Sequence, residues 1–247
     1  MGKKYKNPPI VEAICEFRFE PDSPWDLVMP GLIYEKVKDT FGKRRQKKEI
    51  GWHIEPKVES IVQRVQTRDL MQFLREDESA LAQVGPHLLS VNHLKPYRSW
   101  QEFLPLIRKG FEAYCEVVEP TNIQRIGLRY VNRIEIPHPR VELEDYFEFY
   151  PHVGSNLPQE HGPFTVGIQV PYEDSRDILK VVLTSANTKT LDTMAFILDL
   201  DYFLVQPEKA ALDQIFEWVD VAHNHVEDAF EACITDRLGQ IFEEVVD

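Results

Sequence analysis

Three polar residues in one short phrase, Arg129, Asn132 and Arg133, form the sharpest polar cluster in the sequence. The phrase lies in a run that alternates as a strand. Alternation puts Arg129 and Arg133 on one face and Asn132 on the other with Tyr130. Two guanidinium groups on one strand face can grip a small anionic ligand, a nucleotide or an acidic segment of a partner. The same face also fits a simpler role, in which the arginines neutralise glutamates of a neighbouring strand, and strand alternation alone accounts for that arrangement.

Other chemistry-bearing residues fall short of a site. Asp199 and Asp201 stand two apart on one strand face and could begin a divalent-metal site, but no third oxygen ligand follows at a nearby spacing. His223 and His225 are two apart on a helix and point to opposite sides, one to a core edge and one to the surface. His152 and His161 bracket a polar loop. Cys15, Cys115 and Cys233 are far apart, fit no zinc spacing and sit in apolar patterns, which reads as buried thiols. There is no nucleophile elbow, P-loop, dinucleotide fingerprint, HExxH or paired cysteine ligand. The expectation is therefore no catalytic residue, no metal and no cofactor, with an enzyme the less favoured reading.

Charge narrows the partners. Among 247 residues, 28 Lys and Arg against 41 Asp and Glu give a net charge of −13, which opposes nucleic acid unless the cations are gathered in one place. A basic run, Lys43, Arg44, Arg45, Lys47 and Lys48, is such a gathering. It could touch a phosphate backbone, but it lacks interleaved aromatics short of Trp52, and it reads as a solvated connector. From Asp201 onward, twelve acids face only Lys209 and Arg237. The sequence carries no apolar run near 18 residues, the length a membrane span requires, and no apolar stretch follows the charged start. No membrane association and a cytoplasmic location are expected.

The elements that would position these residues follow from periodicity. Residues 9–20 alternate as a strand whose buried face is Val11, Ala13, Cys15, Phe17 and Phe19, with Glu12, Glu16 and Glu20 opposite. Ser23-Pro24 opens a helix to about Phe41, restarting at Pro30, with Leu32, Ile33, Val37 and Phe41 inward. Strands follow at 58–66, 70–75, 81–84 and 88–93. Ser99-Trp100-Gln101-Glu102 is a capping box for a second helix, kinked early by Pro105. A long strand at 123–136 starts the order again, with a short helix at 141–149, strands at 164–170, 178–184 and 194–205, and a last helix over 211–245.

Strand, helix, antiparallel strands and helix thus occur twice. The expected fold is α+β: an internal duplication with halves at 1–120 and 121–247, fused through a curved, mainly antiparallel sheet with helices on one face. The last helix, about 50 Å if unbroken, either breaks near 220–224 or reaches toward a partner with Val226, Phe230, Leu238 and Ile241.

Several phrases resemble one family: prokaryotic proteins of about this length, described as sporadically distributed. They are Pro8-Pro9-Ile10-Val11-Glu12-Ala13-Ile14-Cys15-Glu16-Phe17-Arg18-Phe19, the hairpin 81–92, Ile126-Gly127-Leu128-Arg129-Tyr130-Val131-Asn132-Arg133-Ile134, Asp199-Leu200-Asp201, and residues 223–236. His93 departs from the pattern, which has an aromatic followed by a basic residue after Asn92. The resemblance brings no established activity. Its patchy distribution implies an accessory role in a mobile or defence-type gene cluster. Together these readings favour a non-enzymatic interaction or regulatory module that binds another protein or itself. An anionic-ligand binder using Arg129, Asn132 and Arg133 comes second, and nucleic-acid binding through residues 43–48 third.

Overall fold

A computed structural model describes residues 3–21, 25–57, 60–158, 162–207 and 212–245, and of residues 49–57 and 60–68 the backbone alone. The strands are β1 (Ile10–Phe19), β2 (Lys43–Lys57), β3 (Ser60–Leu74), β4 (Ala80–Gly85), β5 (Leu88–Leu94), β6 (Ile123–Ile136), β7 (Thr165–Tyr172), β8 (Asp177–Ala186) and β9 (Met194–Leu204). The helices are α1 (Met29–Val37), α2 (Trp100–Val118), α3 (Ile215–Cys233) and α4 (Asp236–Ile241). All nine strands join one open antiparallel sheet in the order β2-β3-β4-β5-β1-β6-β9-β8-β7, so the α+β class holds. Among the described residues no helix is long and apolar enough to cross a membrane.

The chain forms two compact units. The first comprises Glu16–His93 and Arg98–Gln124; the second comprises Met1–Cys15, Leu94–Tyr97 and Arg125–Asp247. This division differs from the expected cut at 120/121, because the N-terminal residues and a short piece before α2 belong with the second unit.

In the first unit, α2 opens as its capping box requires: the Ser99 side chain accepts from the Glu102 N–H. Its buried face carries Phe103, Ile107, Gly110, Phe111 and Tyr114. Phe111 meets Phe17 at 4.8 Å between ring centroids, and Tyr114 stacks on Phe19 at 4.9 Å. Gly110 is required by close approach, since a Cβ there would stand 2.9 Å from Val91 Cγ2. Pro105 lies within α2 without ending it.

Helix α1 is shorter than expected. Asp26 Oδ1 accepts from the Val28 and Met29 N–H groups, and Pro30 occupies the first turn, where its missing N–H costs nothing. The proposed start at Ser23-Pro24 lies outside the described residues. Ile33 and Val37 are buried as expected, but Leu32 is 50% exposed.

The basic run is not a connector. Lys43 to Lys48 open β2, which pairs along its length with β3. These residues contain no apolar side chain to mark a period of two, because β2 stands at one end of the strand order and the run is exposed.

In the second unit, β6 carries the expected buried row Ile126, Leu128, Tyr130, Ile134 and Ile136. Helix α3 buries Ile215, Trp218, Val219, Ala222 and Val226. The expected helix at 141–149 is only a 3-10 turn, Leu143–Asp145. Tyr146 and Phe147 are instead drawn into the core, and Phe147 bridges to the Ile234 backbone. That bridge also stops α3, so the last helix breaks at Ile234–Thr235, not at 220–224. Thr235 then caps α4, accepting from the Leu238 N–H.

Candidate functional site

The first unit contains a groove of about 850 Å³ between α1 and the β2–β3–β4 face. Its geometry follows from strand register. Arg44 lies opposite Phe73, Gln46 opposite Met71, and Lys48 opposite Asp69, while Met71 lies opposite Val84. Cross-strand partners share a face, so the even-numbered basic residues of β2 lie on the groove side, and Lys43, Arg45 and Lys47 lie on the other. The floor is apolar: Phe19, Leu70, Phe73, Val84 and Leu88, all buried. One wall comes from α1 and the turn before it, with Trp25, Leu27, Pro30 and Tyr34.

Two features fix this wall. The Tyr34 hydroxyl donates to the Gly42 carbonyl at 2.7 Å, and the Arg44 guanidinium lies 5.1 Å from the Tyr34 ring centroid, a cation–π placement. Gly31 also lines the groove, and a Cβ there would meet nothing within 4 Å. Leu27, in the lining, is 97% exposed, and in the same stretch of chain Val28 is 62% and Leu32 50% exposed. Arg18, Arg44 and His87 supply the basic side chains of the lining, and Asp69 its carboxylate. Arg18 is spoken for by Glu16 at 2.8 Å.

The opposite face of these strands carries a polar ladder. Arg45 donates to Gln72, and Gln72 donates to Gln83, each at 2.7 Å. Lys43 pairs with Glu78 at 3.1 Å. The run is thereby divided by alternation, and part of it is used internally.

The cluster of Arg129, Asn132 and Arg133 is also used internally. Arg129 binds Asp199 through both Nε and Nη2, the former at 2.7 Å. This hydrogen bonding raises its pKa further. Arg125 reaches Asp201 at 3.2 Å. Arg133 pairs with Glu135 at 2.9 Å and donates to the Asn187 carbonyl at 2.8 Å. Asn132 is 1% exposed and donates to the Leu198 carbonyl at 3.1 Å. Arg125 and Arg129 pair with aspartates of β9 and Arg133 with Glu135 of its own strand, while the β1 glutamate Glu12 adds a charge attraction to Arg129. The suggested metal pair Asp199 and Asp201 is consumed in the same contacts. Among the described residues no group of three or more His, Cys, Asp and Glu could hold a metal ion.

Two of the four residues suggested as a partner surface on the last helix are core. Val226 and Leu238 are 0% exposed. Phe230 packs edge-on to Tyr5 at 6.2 Å between centroids, and Ile241, 36% exposed, is the most open of the four. The N-terminal strip clasps this end: Lys6 and Asn7 donate backbone N–H to Glu243 and Phe242, and Lys3 pairs with Asp236 and Glu244.

A second buried polar chain runs through the second unit. The hydroxyls of Tyr97 and Tyr130 are 3.1 Å apart. Tyr130 lies 2.9 Å from His223 Nδ1, and His223 Nε2 lies 3.3 Å from Glu227. Burial lowers the His223 pKa to about 4. His225, by contrast, stacks on Tyr202 at 5.1 Å. His161 lies outside the described residues.

Sequence reasoning missed the groove. Its one local signal was the segment of α1 and the residues before it, where Leu27, Val28 and Leu32 cannot all share an inner face with Ile33 and Val37. Compared with protein-family models and with curated proteins, the chain matches none.

Proposed function

We propose that the protein is a non-enzymatic interaction module, an accessory or regulatory subunit that docks onto another protein through the groove beside α1. The observation that carries this reading is the apolar floor of the groove together with the water-exposed Leu27 in its lining and the exposed Val28 and Leu32 of the same segment. Large apolar side chains exposed together beside a concavity are characteristic of contact surfaces. The polar residues singled out from sequence are tied up in internal ion pairs and hydrogen bonds, which directs attention away from a reactive centre. Membership of the sporadically distributed prokaryotic family, and a place in a mobile or defence-type gene cluster, belong to the same proposal. So does an ancient internal duplication, supported by the recurrence of a long strand, antiparallel strands and a closing helix, although the second run has a 3-10 turn where the first has α1.

Gly31→Phe tests the docking reading. Position 31 has open space and lies in a helix, so the variant should fold while its ring fills the groove. The tagged chain is purified from cells that make it naturally, beside the variant. Loss of a stoichiometric partner from Gly31→Phe, with an unchanged circular dichroism spectrum and melting curve, supports the reading. Equal recovery of that partner by both proteins refutes it.

A further inference from the structure

Resting on the docking reading, the geometry points to an occupant of defined chemistry: we infer that the groove takes an acidic peptide segment of a partner protein, with one or two large apolar side chains as anchors. The floor of Phe19, Leu70, Phe73, Val84 and Leu88 asks for apolar side chains. The charged residues ask for carboxylates. Arg44 is held against the Tyr34 ring and is exposed, and it has no carboxylate partner among the described residues. Lys48 lies further along the same strand face. On a chain of net charge −13, where the arginines of β6 are matched to acids, an uncommitted arginine beside an apolar trough is selective. A guanidinium pre-oriented on an aromatic ring keeps its donor edge for a bidentate carboxylate contact.

Single-stranded nucleic acid would use the same arginine and the rings of Trp25 and Tyr34. Three features favour a peptide instead. The lining is mainly apolar, with exposed Leu27 beside the buried floor, and one of its two arginines, Arg18, is already paired with Glu16. Asp69 stands in the lining, where it would oppose the evenly spaced charges of a phosphate backbone, whereas a peptide can set its carboxylates at Arg44 and an uncharged residue beside Asp69. The overall charge repels a polyanion but only weakly opposes a short segment with a few carboxylates.

The test is selection of a random-peptide phage library on the full-length protein, followed by fluorescence polarisation with the enriched peptides. The expected result is a motif pairing Leu, Phe or Trp anchors with flanking Asp or Glu. Affinity should fall about tenfold in Arg44→Glu, return toward wild type in Arg44→Lys, weaken with salt, and vanish in Gly31→Phe. Enrichment of apolar or basic motifs without acidic bias, no enrichment, or binding indifferent to Arg44→Glu would overturn the inference. Arg44-dependent binding of labelled oligo(dT) or oligo(U) that outcompetes every peptide would do the same. If Gly31→Phe blocks peptides that lack acidic residues, the docking groove stands and only the partner class fails. If Gly31→Phe changes neither peptide nor partner binding, both readings fail.

Discussion

Protonating His223 should remove a large share of the stability of the second unit. The hydrogen-bond directions in its chain are set by the one carboxylate at the end. Glu227 can only accept, so His223 Nε2 carries the proton and Nδ1 accepts from Tyr130, whose hydroxyl in turn accepts from Tyr97. This arrangement requires a neutral imidazole, and burial holds the pKa at about 4, below the ordinary 6.5, outweighing the pull of Glu227. The folded pKa is depressed, so the unfolded chain takes up the proton first. The contribution is complete above about pH 6.5, declines as pH falls, and is spent below about pH 4. At about 1.4 kcal/mol per unit of pKa difference, the loss is about 2 kcal/mol by pH 5 and approaches about 3 kcal/mol at the acid limit. Urea unfolding between pH 7 and pH 4, compared with His223→Gln, isolates this group, because glutamine keeps one acceptor and one donor but does not titrate. The wild type should lose about 2 kcal/mol more than the variant by pH 5. Equal losses, or a His223 ring proton whose NMR shift titrates near 6.5, would refute the assignment.

Three further outcomes are expected. Asp177, fully buried, accepts from Trp218 Nε1 and from the Tyr202 hydroxyl at 3.0 Å each, and from Arg176 at 2.6 Å; Asp177→Ala should cost about 3–5 kcal/mol in urea unfolding by stranding its donors, and a loss under about 1 kcal/mol would contradict that role. Gly110→Ala should destabilise, since about 1 kcal/mol of helix propensity is outweighed by about 1–3 kcal/mol of overpacking against the stiff Val91 side chain; a raised melting temperature would show that the helix can shift. Burial holds the Cys115 thiol at about 12 and Cys233 at about 11, and Cys15 is 0% exposed, so all three should resist Ellman's reagent at mildly alkaline pH until urea is added, and rapid native labelling would contradict this.

Strands with one buried face were legible because alternation is a local signal. The rows Ala13, Cys15, Phe17 and Ile126, Leu128, Tyr130 are buried as their spacing implies. The Ser99 cap could be read for the same reason, and Thr235-Asp236 carried an equivalent signal at the true break of the last helix. Segment 43–48 was not legible, because an exposed edge leaves no apolar period to read. Nor were the partners of Arg129 and Arg125, which come from a strand about seventy-five residues away in sequence. Only pairing of β6 with β9 brings them together. The groove was hidden for a related reason: Trp25, Tyr34, Arg44 and Met71 come from a turn, a helix and two strands, and only the β2–β3 register puts the last two on one side.

The two outermost strands end the sheet by different means. Along β2 the first six residues carry five cations, so another copy of this chain approaching with the same strand meets like charge at every alternate step. On β7, Pro171 offers no amide hydrogen for a further strand to accept. Nine strands can therefore stay nine: assembly by adding identical sheets end to end is discouraged at both margins, while a strand of opposite charge would meet no such barrier along β2.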